Sequence, residues 1–299
     1  MAGVFVINAD DLGVSRGATL GIIRAHLEGV VTSASLAPTG ADYRHAVEVT
    51  RKNCPELGIG LHFTLSAGKS VSDPVDVPLL VDQQGNFRWE FVSLLRALRL
   101  QRSSDLLAQI EIELEAQMQR LLTDGVAPDH IDSERQVHFI PGIFELVILA
   151  ANRHGIPFVR AGNDVSLRFV RIEHFKPVIL RGGILKFMLL QGLKHQSLRR
   201  LKKDTRQQVR FCDNFASFLF TGRLDLVLTQ ILESAPGGVT EIMVHPGIPE
   251  ESFNVNLGNP GLQHYLTLED RRRELNACVE ARSLAQDLEL CSFRTLAQR

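Results

Sequence analysis

The chain has 299 residues, of which 44% are hydrophobic, carries a net charge of −1 and has a mean hydropathy near zero. That is enough apolar material for one large α/β domain or two small ones, too much for a disordered chain, and too balanced in charge for a global field that would draw nucleic acid. No apolar run reaches the roughly 20 residues of a membrane span, the opening "MAGVFVINADD" has no basic leader, and Cys54, Cys212, Cys278 and Cys291 show no CxxC pairing, so a cytosolic protein with buried, reduced thiols is expected.

In chain order, "GVFVINADD" reads as an apolar strand ending in carboxylates. Ser15 then caps a helix with Leu20, Ile23 and Leu27 on one face, closed by Gly29. A second strand, "GVVTSASLA", and a second helix, "DYRHAVEVTRKN", follow. "LGIGLHFTL" alternates Leu57, Ile59, Leu61, Phe63 and Leu65 with Gly58, Gly60, His62 and Thr64, as a strand should. After a loop, Asp105 to Thr123 places Leu107, Ile110, Leu114, Met118 and Leu121 at helical spacing and stops at Gly125. The "HIDSE" strand, the helix "GIFELVILAANRH" ended by Gly155, the strand "IPFVRAG", the strand "TEIMVHPG", the helix "LEDRRRELNACVEARSLAQD" and a last strand, "LELCSF", complete the series. Such alternation implies parallel strands joined by right-handed crossovers, in an open doubly wound sheet or a closed (β/α) barrel. "NADDLG" has carboxylates where a dinucleotide fingerprint would have glycines. Residues 163–222 break the pattern and read as an insertion within a single domain, 1–299.

Polar groups collect at one place in each unit: Asp10 and Asp11, His62, the row His130, Asp132 and Glu134, and His245 all fall at or just past the C-terminal end of an apolar strand. That edge is where parallel α/β folds build their active sites. Singly, each has a plain alternative: the Asp doublet as a helix-capping turn, His62 as a satisfied core histidine, His245 as a loop-shaping residue before Pro246, and His138 as structural. Together they are the parts of a hydrolytic metal site, in which a divalent cation polarises a carbonyl, a carboxylate takes a proton from water and an acid protonates the leaving group. A phosphoesterase, an amidohydrolase, or a sugar- or lipid-binding protein without catalysis would carry the same residue types.

"NADDLG", "GLHFTL", "HIDS" with its following "VH" and "PGIFE", and "HPG" occur in the order and approximate spacing of the YdjC-like (ChbG-like) carbohydrate deacetylases, which the chain resembles up to about residue 160 and again from "HPG" onward. The resemblance implies an irregular TIM-barrel-like (β/α) barrel, an N-acetylated amino-sugar substrate and one divalent ion, zinc, magnesium or manganese. It further implies Asp11 and His62 as metal ligands, Asp10 or Asp11 as base, with Asp10 the preferred assignment, and His245 near the leaving group as acid. Glu134, on the same strand face as His130 and Asp132, is expected as the third ligand, and His130, Asp132, His138 and Arg160 as substrate-binding or supporting residues. The chain departs from the family at Glu134, where the chito-oligosaccharide enzymes have a histidine; an oxygen ligand there suits a harder cation. "DSER" resembles the hopanoid-biosynthesis (HpnK-like) branch and implies a lipid-linked glucosaminyl substrate, a soluble chito-oligosaccharide being the alternative.

From Lys176 to Arg206 there are nine Lys or Arg against one Asp. Leu185, Met188, Leu189 and Leu193 follow helical spacing, flanked by Lys186 and Lys194 with Arg199, Arg200, Lys202 and Lys203 beyond. The plain reading is a helix packed on the barrel; the sharper one is an interfacial helix on anionic lipid at the inner face of a membrane. No nucleic acid is expected as partner, and a homodimer is compatible with the sequence.

Overall fold

A computed structural model describes residues 3–100, 103–169, 183–201, 208–221, 223–234, 236–253, 255 and 259–299. Eight parallel strands form one curled sheet: β1 (Val4–Leu12), β2 (Ser33–Leu36), β3 (Gly58–Phe63), β4 (His130–Ser133), β5 (Phe158–Val159), β6 (Asn163–Asp164), β7 (Asn214–Ala216) and β8 (Val239–Val244). Their spatial order, 5-4-3-2-1-8-7-6, is that of an eight-stranded barrel cut between β5 and β6, and β9 (Glu289–Leu290) lies along the start of β1. The expected TIM-barrel-like fold is therefore the observed one. Two of its strands, β6 and β7, lie inside the stretch read as an insertion. At two and three residues they are too short to show an alternating pattern, so the rhythm was hidden rather than broken.

Helices cover the outside: α1 (Arg16–Leu27), α2 (Tyr43–Asn53), α3 (Phe91–Leu100), α4 (Ser103–Thr123), α5 (Ile143–His154), the single turn α6 (Ser166–Phe169), α7 (Gly183–Arg200), α8 (Leu228–Ser234), α9 (Pro260–Leu266), α10 (Glu269–Glu280) and α11 (Phe293–Ala297). In α4 four of the five residues of the expected stripe, Ile110, Leu114, Met118 and Leu121, are fully buried and Leu107 is half-buried, each fully buried side chain contributing roughly 1.5–3 kcal/mol over leaving it in water. In α1 the Ser15 cap is present, its Oγ accepting from Ala18 N at 3.1 Å, but the buried face is Ala18, Ile22, Ile23 and Ala25, while Leu27 is half exposed. The face is rotated because Gly17 and Gly21 sit against the chain leaving β8, closer than a side chain would allow.

On α7 the packing face is likewise not the expected one. Leu190, Leu193, Lys194 and Ser197 are buried, whereas Ile184, Leu185, Met188 and Leu189 are exposed. Lys194 does not flank an apolar stripe in solvent: its Nζ donates to Gly162 O at 2.7 Å, and Ser197 Oγ donates to Phe139 O at 2.9 Å. Arg199 is exposed and Arg200 meets Glu145 at 3.2 Å; Lys202 and Lys203 lie outside the described residues. No helix among the described residues is long and apolar enough to cross a membrane. The four cysteines are buried and free.

Inside the sheet the barrel is layered. Val6, Phe158, Cys212, Cys291, Phe293 and Leu296 close its bottom with an apolar plug. Above the plug sits a polar layer, and His130 marks the boundary, its ring 4.2 Å from that of Phe293. Gly60 on β3 makes room for it, since a Cβ there would stand 2.4 Å from the imidazole. Gly60→Ala should consequently destabilise the fold by about 1–3 kcal/mol or more through overpacking, beyond the roughly 1–2 kcal/mol expected of Gly155→Ala, where only the left-handed backbone is at stake. Thermal unfolding compares the two; a Gly60→Ala protein melting at or above the Gly155→Ala protein contradicts the packing described.

Candidate active site and metal centre

The polar layer is organised by one guanidinium. Arg160, two per cent exposed and just past β5, donates from Nη1 and Nη2 to the two oxygens of Asp10 at 2.7 and 2.6 Å and from Nε to Glu241 Oε1 at 2.7 Å, and its Nη2 forms an ion pair with Asp132 Oδ2 at 2.6 Å. Asn8 and Ser35 complete the layer, the amide of Asn8 donating to Asp10, Ser35 and Asp132, and the Ser35 hydroxyl to Asp132 at 2.7 Å. Parallel register places His62 of β3 beside Asp132 of β4, and His62 Nδ1 donates to Asp132 Oδ1 at 2.7 Å. Burial works against a charged His62, but Asp132 and then Asp10 and Asp11 carry its pKa up to about 9. Burial also raises Asp10 against the pull of Arg160; for Asp132 the opposing cations win and the carboxyl is held low.

Asp11 goes a different way from Asp10. Its φ is +73° and the β1–β2 register shifts between Ala9 and Leu12, so a bulge replaces simple alternation and both neighbours line the cleft. Arg271 of α10 donates to Asp11 Oδ2 at 2.8 Å, leaving Oδ1 at 3.6 Å from His62 Nε2. Despite burial, Arg271, His245 and His62 lower the Asp11 pKa. Gly247 of "HPG" lets Arg271 through: a Cβ there would lie 2.9 Å from Nε.

Glu134 is not on the strand that suggested it. β4 ends at Ser133, and Glu134 starts a short 3-10 turn (134–139) in which Arg135 and Gln136 have φ of +52° and +60°. The turn nevertheless directs Glu134 into the same cleft, buried, with neither carboxylate oxygen hydrogen-bonded among the described residues and with its pKa raised by burial. His245 lines the opposite wall; Glu274 of α10 accepts from its backbone N at 2.6 Å and lies 3.6 Å from its Nδ1.

The supporting residues fall elsewhere. His130 is buried below the cleft with Nδ1 donating to Asp129 at 2.6 Å, and Asp132 and Arg160 belong to the layer beneath, so none of the three lines the cleft. His138 is structural: it accepts from Ser133 Oγ and donates to Arg160 O, and burial drives its pKa down to about 3. Sequence reading missed Arg271, Glu274, Tyr265, Glu241, Asn8 and Ser35. The first two had a signal, since Leu275 and Cys278 extend backward at helical spacing to Arg271 and Glu274, and all four are buried.

The cleft opens at the C-terminal rim of the barrel over about 740 Å³. Asp10, His62 and Asp132 bring one ligand atom each within 4.8 Å of one another, a buried cluster that could hold a metal ion. Within it, however, Asp132 and both oxygens of Asp10 are committed to other partners. The atoms still available around His62 are its Nε2, Asp11 Oδ1 and the Glu134 carboxylate, which among the described residues has no hydrogen bond and only Arg135 Nε at 3.6 Å as ion-pair partner, and a metal-ligating histidine regularly gives its other N–H to a carboxylate, as His62 does to Asp132. Two buried carboxylates and one imidazole fit a divalent cation.

Fold and cluster together define a (β/α)-barrel protein with a buried acidic and histidine cluster, able to hold a metal ion, in the cleft at the C-terminal rim. Residues 4–288 match the family model described as YdjC-like protein, and the chain belongs to that family. It is 40% identical over 152 residues to a carbohydrate deacetylase of Brevibacillus brevis (51% of this chain, 57% of that one) and 35% identical over 158 residues to a chitooligosaccharide deacetylase of Proteus mirabilis (52% and 58%). The matched stretch thus spans less than two-thirds of either relative. A crystal structure from Enterococcus faecalis V583, of a protein described as a candidate for cellobiose-phosphate cleavage, superposes with TM-score 0.72 at 24% identity over 99% of each chain and shares the fold.

Replacing Arg160 by Met should cost about 3–5 kcal/mol at pH 8, because Asp10, Asp132 and Glu241 are left buried without their cation. Carboxyls raised in the folded state favour the fold only when protonated, so the deficit should shrink as pH falls from 8 to 5. Denaturant melts at three pH values test this; wild type and variant running parallel across the range would contradict the network.

Proposed function

We propose that this protein removes the N-acetyl group from an N-acetylglucosamine-containing glycoconjugate. The observation that carries the reading is that one cleft is lined by a carboxylate fixed by Arg160 (Asp10), by a histidine (His245), and by Asp11, His62 and Glu134, which are able to hold a divalent ion. When bound, zinc, magnesium or manganese would supply a Lewis acid for the acetamide carbonyl and lower the pKa of a water. The chain's own groups do the rest. Arg160 orients Asp10 by a two-point clamp; Oδ1 also accepts from Asn8, and Oδ2, which accepts from Arg160 Nη1, keeps a second acceptor position for the proton of the attacking water. His245 protonates the departing nitrogen. The covered base of the barrel and the buried walls exclude bulk water from the charges.

For the acceptor, a lipid-linked glucosaminide of the hopanoid kind implied by "DSER" is the reading we favour. A groove between α3 and α7, lined by Phe91, Val92, Leu185, Leu189 and Leu190, adjoins the cleft and shares Arg135, Lys186 and Leu190 with it. Val92 and Leu185 are 58% and 75% exposed, a large apolar surface for a sugar enzyme to leave in water beside its site. Peripheral contact with an anionic membrane belongs to the same reading. The name of the Proteus mirabilis relative favours the second reading, a soluble chito-oligosaccharide.

Glu134→Ala should lose bound metal and acetate release together, and Glu134→His should recover both with altered metal preference. Asp10→Asn should keep its metal while turnover falls by about 10²–10⁴-fold. Metal analysis of the purified variants and acetate assays on octyl N-acetyl-β-D-glucosaminide decide these points; full metal and turnover in Glu134→Ala removes it from the site. A Leu185→Asp, Leu189→Asp variant should raise KM for the octyl glycoside without affecting N,N′-diacetylchitobiose. Faster wild-type turnover of the chitobiose than of any lipid-linked glucosaminide returns the protein to the soluble reading.

A further inference from the structure

One polar group of the cleft has no task in the scheme above. The Tyr265 hydroxyl is buried and has no hydrogen-bond partner among the described residues. Its ring is fixed from two sides, by the Arg271 guanidinium 5.0 Å over the face and by the His245 ring 6.0 Å away at 80°. The helix that carries it, α9, is anchored as well: Asn259 Oδ1 caps Leu262 N at 3.0 Å while its amide donates to Ser66 O at 3.1 Å. A rigid donor without an acceptor in a dry site costs about 1–3 kcal/mol, so it stands out unless something enters to meet it. The oxygen and nitrogen of an acetamide share one carbon, so the groups serving them must be neighbours. Tyr265 is the neighbour of His245.

Resting on the deacetylase reading, we infer that Tyr265 donates its O–H to the acetamide oxygen as that oxygen becomes an oxyanion. Water gives a proton to Asp10 while its oxygen bonds to the carbonyl carbon, and the carbonyl π pair moves to the oxygen facing Tyr265. The phenol keeps its proton throughout. The pair then returns, the C–N bond breaks, and the nitrogen takes its proton from His245, leaving amine and acetate. Burial and the nearby carboxylates Asp11, Glu274 and Asp10 hold the phenol well above its ordinary pKa, which suits a neutral donor that strengthens as charge develops.

Tyr265→Phe keeps the ring that Arg271 and His245 pack on and removes only the hydroxyl. With octyl N-acetyl-β-D-glucosaminide, kcat should fall about 10²–10³-fold, KM should stay within about threefold, and the metal content should be unchanged. The N-thioacetyl analogue supplies a readout that a purely structural role would not move. Sulfur accepts hydrogen bonds poorly, so the slowing caused by the oxygen-to-sulfur exchange should be smaller in Tyr265→Phe than in wild type. A higher KM with unchanged kcat makes Tyr265 a sugar-binding residue, and loss of metal makes it a support for the ion; either overturns the assignment, as does an unaltered variant or an equal sulfur effect. If wild-type protein, metal-loaded, releases no acetate from this glycoside or from N,N′-diacetylchitobiose, the deacetylase reading fails and this assignment with it.

Discussion

A guanidinium enclosed in a barrel with three carboxylates is the constraint on which this structure turns. Ionised groups far from water are tolerable only when their charges and hydrogen bonds are matched, and Arg160 is matched on three of its nitrogens by Asp10, Asp132 and Glu241 from three different strands. The arrangement ties β1, β4 and β8 to the end of β5, close to where the barrel is cut. It also orients the groups around it: Asp132, held by Arg160 and Ser35, fixes the His62 ring, and Asp10, which lines the cleft, is held by Arg160 and Asn8. Stability and the proposed catalysis draw on the same contacts.

Much of this was readable from residue order. Strand ends are where apolar runs give way to charge, and Asp10 and Asp11, His62, and His245 mark three of them in a sequence whose alternation already implied parallel strands. Glu134 was found for a partly mistaken reason, because alternation was extended one residue past the end of β4, where a 3-10 turn delivers the side chain instead. Asn8, Ser35 and Glu241 were not readable: on a short strand a polar residue facing inward cannot be told from one facing out until the sheet closes. Arg271 was hidden in "EDRRRE", which looks like a solvated helix face, although one of its three arginines sits at full burial. The helix α7 misled in the opposite direction. Its most regular apolar stripe is left outside, and a lysine goes in because a backbone carbonyl at Gly162 receives it.

The cleft is built from two walls of different character. One, from β1, β3 and the 3-10 turn, carries the carboxylates Asp10, Asp11 and Glu134 with His62; the other, from α7, α9 and the residues after β8, mixes His245 and Tyr265 with Leu190 and Leu262. In the proposed reaction, an amide bond in the cleft would have Asp10 on the side of its carbonyl carbon and Tyr265 and His245 on the side of its oxygen and nitrogen. This division matches the sequence of charge movements in amide hydrolysis, where negative charge passes from water to oxygen and then to nitrogen.

Asp11 and Glu134 reach the same space by backbones of unequal tolerance. At position 11 the bulge demands φ of +73°, a conformation that asparagine and aspartate accept far more readily than branched or bulky residues. At position 134 the backbone is ordinary, and the strain of the turn falls on the next two residues. Mutation can therefore explore carboxylate, imidazole or amide donors at 134 without disturbing the strand, whereas nearly every exchange at 11 would also have to rebuild the bulge. Under the proposed ligand assignment, evolutionary retuning of an ion is open at position 134 and closed at position 11.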